Sequence, residues 1–260
     1  MTLGISVKTI ANPLTDEALD ALERSGFETF ETNPVNFQTP EFDHGLVDKF
    51  IAMKRRTGKT SPTFHAPYGG GWDLSALDED ARRQAVAKLV GLFPLATELE
   101  SRIIVEHPSG EPVRPDERGA RIAQLRKSLA ELEAPLRAAG FQLALELLPR
   151  TCLGNTAAEL LAILDGFGPV FGACLDVNHL MGRIRALPDE TRLLGGRLLA
   201  VGALHAPEVV LPLVRRALLW IDAAVRPEIG EARRRNLLSG SGRTRLRSGG
   251  SVGCEGARTA

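Results

Sequence analysis

The sequence predicts an α/β fold of the (βα)8 barrel type, incomplete at its C-terminal end. Three observations predict it. Short apolar runs alternate with amphipathic segments six times in succession, as parallel strands joined by helical crossovers require. Five of those runs end at or beside a residue able to coordinate or titrate: Glu31, His65, His107, Glu146 and Asp176, spaced 34, 42, 39 and 30 residues apart. In a barrel the C-terminal ends of all strands share one rim, so these five side chains would meet there. The pattern then breaks after a seventh run, Arg197 to Val201, and no eighth run follows Pro227. An open doubly wound sheet is the runner-up, and the absence of a glycine fingerprint after the first run counts against it.

Taken in order, Leu3 to Val7 reads as the first strand and Thr15 to Arg24 as a helix, with Ala18, Leu19 and Leu22 at helical spacing and Gly26 as its stop. Phe27 to Glu31 alternates as a second strand, and Gly45 to Arg56 is amphipathic. Thr63 to His65 ends a third strand, followed by the glycine-rich 66–72 segment with Tyr68 and Trp72. Ser75 with Asp78 opens a long helix expected to reach about Glu100, bent at Pro94. Arg102 to His107 is a fourth strand. Pro115, Asp116 and Glu117 start a helix that ends near Gly140. Phe141 to Glu146 and Phe171 to Asp176 are the fifth and sixth strands, separated by a helix that Thr156 and Glu159 open.

Net charge is zero, 32 basic against 32 acidic residues, which argues against a general nucleic-acid binder. The cysteines at 152, 174 and 254 have neither paired metal spacing nor a disulfide framework, so a reducing, cytoplasmic setting is the default expectation. No basic leader opens the sequence and no run is long and apolar enough for a membrane span.

The chemistry concentrates between Glu146 and His179. Strand alternation puts Gln142, Ala144 and Glu146 on one face, and Gly172, Cys174 and Asp176 on one face. Small residues therefore lie beneath each carboxylate, as a crowded barrel interior needs. Two acids converging from successive strands repel unless one binds a proton or a cation sits between them. A divalent cation is the simplest way to keep both ionised. Structural pairing with Arg150 or Arg183 is the alternative for these acids. Likewise His65, His107 and His179 are either ligands and substrate contacts or capping and core histidines. Tyr68 and Trp72 are either a lid or packing, and Glu31 either binds a substrate hydroxyl or makes a salt bridge.

Four motifs, Phe64-His65-Ala66-Pro67, Val105-Glu106-His107-Pro108, Leu145-Glu146-Leu147-Leu148-Pro149 and Cys174-Leu175-Asp176-Val177-Asn178-His179, together resemble the sugar phosphate isomerase/epimerase superfamily, the xylose isomerase-like TIM barrels. The resemblance covers about residues 3 to 201. It implies a divalent metal ion (Mn, Mg, Co or Zn) held by a Glu of strand five, an Asp of strand six, a His of strand seven and a Glu of strand eight. Glu146 and Asp176 match the first two. His205 is displaced from the seventh run and Glu228 lies in no strand-like segment, so the last two have no match. In the epimerase branch the strand-five and strand-eight glutamates exchange a substrate proton, which implies Glu146 as the catalytic residue. His179, His107, Glu31 and Trp72 are then the expected substrate contacts, and His65, His107 and His179 additional candidate metal ligands. In the endonuclease IV branch, histidines resembling these three join a multi-zinc cluster, but the later Asp-x-His pair of that cluster is missing here.

The expected activity is isomerisation or epimerisation of a small sugar, sugar phosphate or related polyol. It requires removal of a weakly acidic α-proton by a carboxylate while a bound cation stabilises the enediolate. An endonuclease IV-like phosphodiesterase and a catalytically inactive barrel are the alternatives. The expected partner is a small carbohydrate, and the family often dimerises. Residues 1–226 are expected to form the barrel. Residues 227–260, with seven Arg, seven Gly, four Ser and no aromatic residue, read as a disordered tail. No Lys follows Lys127 and no Phe follows Phe171. Either the natural reading frame was lost soon after Val201, or the terminus is genuine and divergent.

Overall fold

The computed structural model describes residues 4–38 and 42–202. Seven strands form one parallel sheet in sequence order: β1 (Gly4–Ser6), β2 (Thr29–Thr32), β3 (Thr60–His65), β4 (Ile103–Glu106), β5 (Gln142–Glu146), β6 (Phe171–Asp176) and β7 (Leu198–Gly202). Every strand pairs in parallel with the next. This is the expected α/β barrel architecture, one strand short among the described residues. His205, Glu228 and the 227–260 tail lie outside them, as does the expected boundary at 226.

The crossovers are α1 (Asp16–Arg24), α2 (His44–Thr57), α3 (Glu79–Gly91) with α4 (Phe93–Glu98), α5 (Arg118–Ala139), α6 (Ala157–Leu164) and α7 (Leu187–Leu194). Their starts follow local chemistry. Thr15, Asp43, Asp78 and Thr156 each accept a hydrogen bond from a backbone N–H of the first turn. Gly58 and Gly140 close α2 and α5 at φ 73° and 74°, a left-handed geometry that suits glycine. Apolar stripes such as Ala18, Leu19 and Leu22 on α1, and Leu125, Leu129, Leu132 and Leu136 on α5, turn inward. They meet the outward strand residues Ile104, Leu143, Leu145, Ala173 and Leu175 in one core between helices and sheet.

Several expectations are corrected. The helix expected to run to Glu100 is two helices, because the chain turns at Leu92 and Pro94, which has no N–H to donate, sits in the first turn of α4. Ser75 does not open α3. It is buried, with its backbone N–H and hydroxyl donated to Asp73, while Asp78 caps the helix. Helix α7 had no counterpart in the reading of the sequence. β4 ends at Glu106, one residue before His107.

The barrel interior holds a second, smaller cluster. Val105, Ala144 and Cys174 are buried there with Ile103, Leu199 and Ala200 against them. The register aligns Ala144 with Gly172, Glu146 with Cys174 and Asp176 with Gly202. Both carboxylates thus stand on a floor of small side chains, as alternation predicts. A Cβ at Gly172 would lie 2.5 Å from the Arg197 carbonyl and from Leu199, so glycine lets β6 and β7 approach.

Candidate active site on the barrel rim

Glu146 ends β5 and Asp176 ends β6, each almost completely buried. Glu146 is the hub. Its Oε2 lies 2.9 Å from His107 Nε2 and 3.2 Å from His65 Nε2, and its Oε1 lies 3.5 Å from His179 Nδ1. His179 Nε2 lies 3.9 Å from Asp176 Oδ2. The arginine alternative is overturned: Arg150 pairs with Glu111, and Arg183 lies 3.6 Å from Glu190. Those guanidiniums reach acids on neighbouring loops and α7, because the strand-end acids are enclosed by imidazoles.

Local hydrogen bonds set the ring orientations. His65 Nδ1–H donates to the Ala66 carbonyl at 2.7 Å, so Nε2 faces Glu146. His179 Nδ1–H donates to the Leu147 carbonyl at 2.9 Å, which turns Nε2 toward Asp176. Asp176 Oδ1 is held by the backbone N–H of Asn178 at 2.7 Å and by Asn178 Nδ2 at 2.8 Å, which leaves Oδ2 toward His179.

The protons follow from these contacts. Burial disfavours the His65 cation, but its hydrogen bond to Glu146 and the charges of Glu146 and Glu31 outweigh that and lift the imidazole to about 10. Burial dominates at His107 and pushes its imidazole down, against the same carboxylate. The two imidazoles that share Glu146 are thus pushed in opposite directions, His65 up and His107 down. Burial alone would raise Glu146, yet the hydrogen bonds from His107 and His65 and their charges hold it well below the usual carboxylate range. His65, favoured in its charged form, and Glu146, favoured in its ionised form, therefore stabilise each other.

Two residues extend the cluster. Burial raises the Glu31 carboxyl, with the His65 charge opposing and the Glu146 charge adding, so Glu31 belongs to the same electrostatic group. The Tyr68 ring stacks on His107, centroids 4.4 Å apart and planes 7° apart, and meets His65 edge-on. Lys8 Nζ donates to its hydroxyl at 3.2 Å. Trp72 behaves differently: its ring partner is Lys88 of α3, 5.6 Å from the centroid, not a histidine of the cluster. Reading the sequence also missed Glu106. It is fully buried, its Oε1 accepts the His107 N–H at 3.0 Å, and burial raises its carboxyl well above the usual range. It stands beside His107 in the Val105–Pro108 motif. Cys174 is buried and its thiol is pushed far up by burial and the adjacent carboxylates.

Two groups of donors sharing Glu146 suit a metal ion: His65, His107 and Glu146, and Glu146, Asp176 and His179, with donor atoms in each group within 4.8 Å of one another. Imidazole and carboxylate at a partly open rim fit a divalent first-row ion or magnesium.

A titratable cluster on the C-terminal rim of a parallel barrel is the arrangement by which barrel enzymes place their chemistry. The chain belongs to the xylose isomerase-like TIM barrel family, whose model matches residues 19–216. Solved structures with the same fold include a D-psicose 3-epimerase with D-tagatose from Clostridium cellulolyticum H10, at TM-score 0.71, 20% identity and coverage of 85% of this chain and 81% of that one. An L-ribulose 3-epimerase structure gives 0.67 and 20%, covering 85% and 77%. A D-tagatose 3-epimerase-like protein gives 0.64 and 19%, covering 77% and 75%. At these identities the likeness is one of fold. No curated protein sequence matches the chain. Among the described residues no helix is long and apolar enough to cross a membrane.

Proposed function

We propose that the chain is a divalent-metal-dependent isomerase or epimerase of a small sugar. The observation that carries this reading is the buried Glu146 carboxylate at the strand-five end, ringed by His65, His107 and His179 and joined to Asp176 through His179. Glu146, Asp176 and His179 would hold the cation. When bound, it would supply Lewis-acid polarisation of the substrate carbonyl and its neighbouring hydroxyl.

The chain's own groups have the remaining tasks. Glu146 is the base, receiving the α-proton on a carboxylate oxygen. His65 and His107 orient that carboxylate through Oε2 and keep it ionised. His179, its ring held by the Leu147 carbonyl, would offer Nε2 to the cation. Glu31, its carboxyl raised by burial, offers a hydrogen-bond partner to a substrate hydroxyl on the rim. Tyr68 covers the imidazole pair and limits access of water. The epimerase structures that share the fold support the reaction class.

The test is metal analysis of the purified chain, then exchange of the substrate α-proton with deuterated water. One ion per chain with exchange supports the proposal. A second reading, a phosphodiesterase of the endonuclease IV type, draws on the two donor groups sharing Glu146, which could hold more than one ion. Two or more ions per chain with cleavage at abasic sites favours it, and absence of metal affinity favours an inactive barrel.

A further inference from the structure

Lys8 follows β1, in the turn Val7–Thr9, and Tyr68 follows β3 in the glycine-rich loop after His65. β2 lies between those two strands in the sheet. A contact between Lys8 and Tyr68 therefore crosses the rim above the end of β2, where Glu31 stands. The contact is made twice over: Lys8 Nζ donates to Tyr68 Oη at 3.2 Å and lies 5.0 Å from the ring centroid. The same ring is stacked on His107 and meets His65 edge-on. Tyr68 is thus held at its face by an imidazole of the site and at its hydroxyl by an ammonium from two strands away.

The loop that carries Tyr68 is pinned on both sides of it. Before it, the Ala66 N–H donates to the Val105 carbonyl at 2.9 Å. After it, Lys88 of α3 donates to the Gly71 carbonyl at 3.1 Å and lies over the Trp72 ring. Gly69 and Gly71, at φ 80° and 85°, make the turn between. A Cβ at Gly69 or Gly70 would meet nothing within 4 Å, so no packing fixes the turn beside Tyr68. The tyrosine itself is 51% exposed. A ring anchored at two ends of its loop, and at its tip by one exposed hydrogen bond, can swing without disturbing the barrel.

We infer that Lys8 is a positioning residue of the site: by holding Tyr68 it straps the rim shut over Glu31, His65 and His107, and a substrate enters by parting the two. The strap is a property of the fold. Its use, which rests on the sugar reading above, is to keep the α-proton that Glu146 takes from the substrate carbon from exchanging with water before it is returned to carbon.

The first experiment needs neither metal nor sugar. The full-length, metal-free chain is treated with diethyl pyrocarbonate, and each histidine is followed by peptide mass spectrometry. His107 lies under the strap, His179 stands on the same rim at the end of β6, and His44 is exposed on α2. Lys8→Met should speed modification of His107 about fivefold, the worth of one exposed hydrogen bond, and leave His44 and His179 unchanged. Tyr68→Phe, which loses the acceptor and keeps the ring, should do the same, and the double variant should do no more. Lys8→Arg should restore protection. An unchanged His107 rate, additive effects of the two substitutions, or an equal rise at His179 overturns the strap.

The second experiment loads the chain with Mn²⁺ and supplies a ketopentose in deuterated water. Lys8→Met should raise the deuterium found in recovered substrate per product formed, because a proton on Glu146 then meets solvent before it returns. An unchanged ratio overturns the positioning role. Absence of α-proton exchange in the unsubstituted chain overturns the sugar reading instead, and histidine protection alone then decides the strap.

Discussion

His107 Nε2 sits 2.9 Å from Glu146 Oε2, joining the ends of two adjacent parallel strands across the rim. The contact ranks Glu146 above the other acids of the site. It accepts from His65 on the same oxygen, so one carboxylate joins the ends of β3, β4 and β5.

Glu146→Gln should therefore remove both base and charge while preserving shape. Turnover should fall by about 10²–10⁴-fold, the usual worth of a positioned proton-transfer group. Metal content should fall with it, and far-UV circular dichroism should not change. An unaltered rate of α-proton exchange would refute the assignment of Glu146 as base.

Asp176→Asn separates ligation from folding. The Asp176 Oδ1 accepts the Asn178 N–H at 2.7 Å, and an asparagine Oδ1 can accept the same bond. Thermal stability of the metal-free protein should stay within about 1 kcal/mol, whereas the affinity for Mn²⁺ should drop by at least about tenfold, since a ligand oxygen is replaced by a neutral group. Retained affinity would place the cation on His65, His107 and Glu146 instead.

The pH dependence of the metal-free protein has a definite sign. His65 binds its proton up to about 10 in the fold against 6.5 unfolded, so between those values the folded state holds more protons. Its stabilisation is complete below pH 6.5 and is lost as pH rises through about 10, at up to about 1.4 kcal/mol per pH unit. Glu146 has the opposite sign: its contribution is present above its ordinary value of 4.5 and is lost as pH falls toward its depressed folded value. Urea unfolding in chelator should show these two groups contributing most between about pH 4.5 and 6.5. His65→Gln should flatten the alkaline limb. An unchanged limb would show that His65 carries no extra proton.

Metal binding should compete with that same proton. Affinity for the cation should rise with pH over the neutral range, and calorimetry in buffers of different ionisation enthalpy should register release of about one proton wherever His65 becomes a ligand. Binding with no proton release would confine the cation to the Glu146, Asp176 and His179 group.

Gly172→Ala tests the barrel floor. Its new methyl would meet the Arg197 carbonyl and Leu199 at 2.5 Å, forcing β6 and β7 apart beneath both acids. A loss of about 1–3 kcal/mol in urea unfolding is expected. A neutral result would mean that β7 is free to shift away from β6.

Much of this was legible in the sequence because it depends on period and spacing. Alternation along Gln142–Glu146 and Phe171–Asp176 placed both acids over small residues, and capping by Thr15, Asp78 and Thr156 marked helix starts with local chemistry alone. Helix α7 escaped because Pro188 stands in its first turn, Gly195 and Gly196 follow at once, and few apolar residues set a period between them. Glu106 was overlooked because one residue of register decides which of two adjacent polar residues ends β4.

The sequence by itself determined the repeating strand–helix order, the acids at the ends of strands five and six, and the histidines near the ends of strands three, four and six. Those features are local: periodicity, turn residues and charge at fixed offsets. Only the tertiary structure decided that His65, His107 and His179 all turn toward Glu146, that His65 is shifted up while His107 is shifted down, and that Tyr68 joins them while Trp72 does not. Those outcomes depend on which strands are neighbours and on burial. His65 and Glu146 are 81 residues apart in sequence, and parallel pairing through β4 brings them to hydrogen-bond distance.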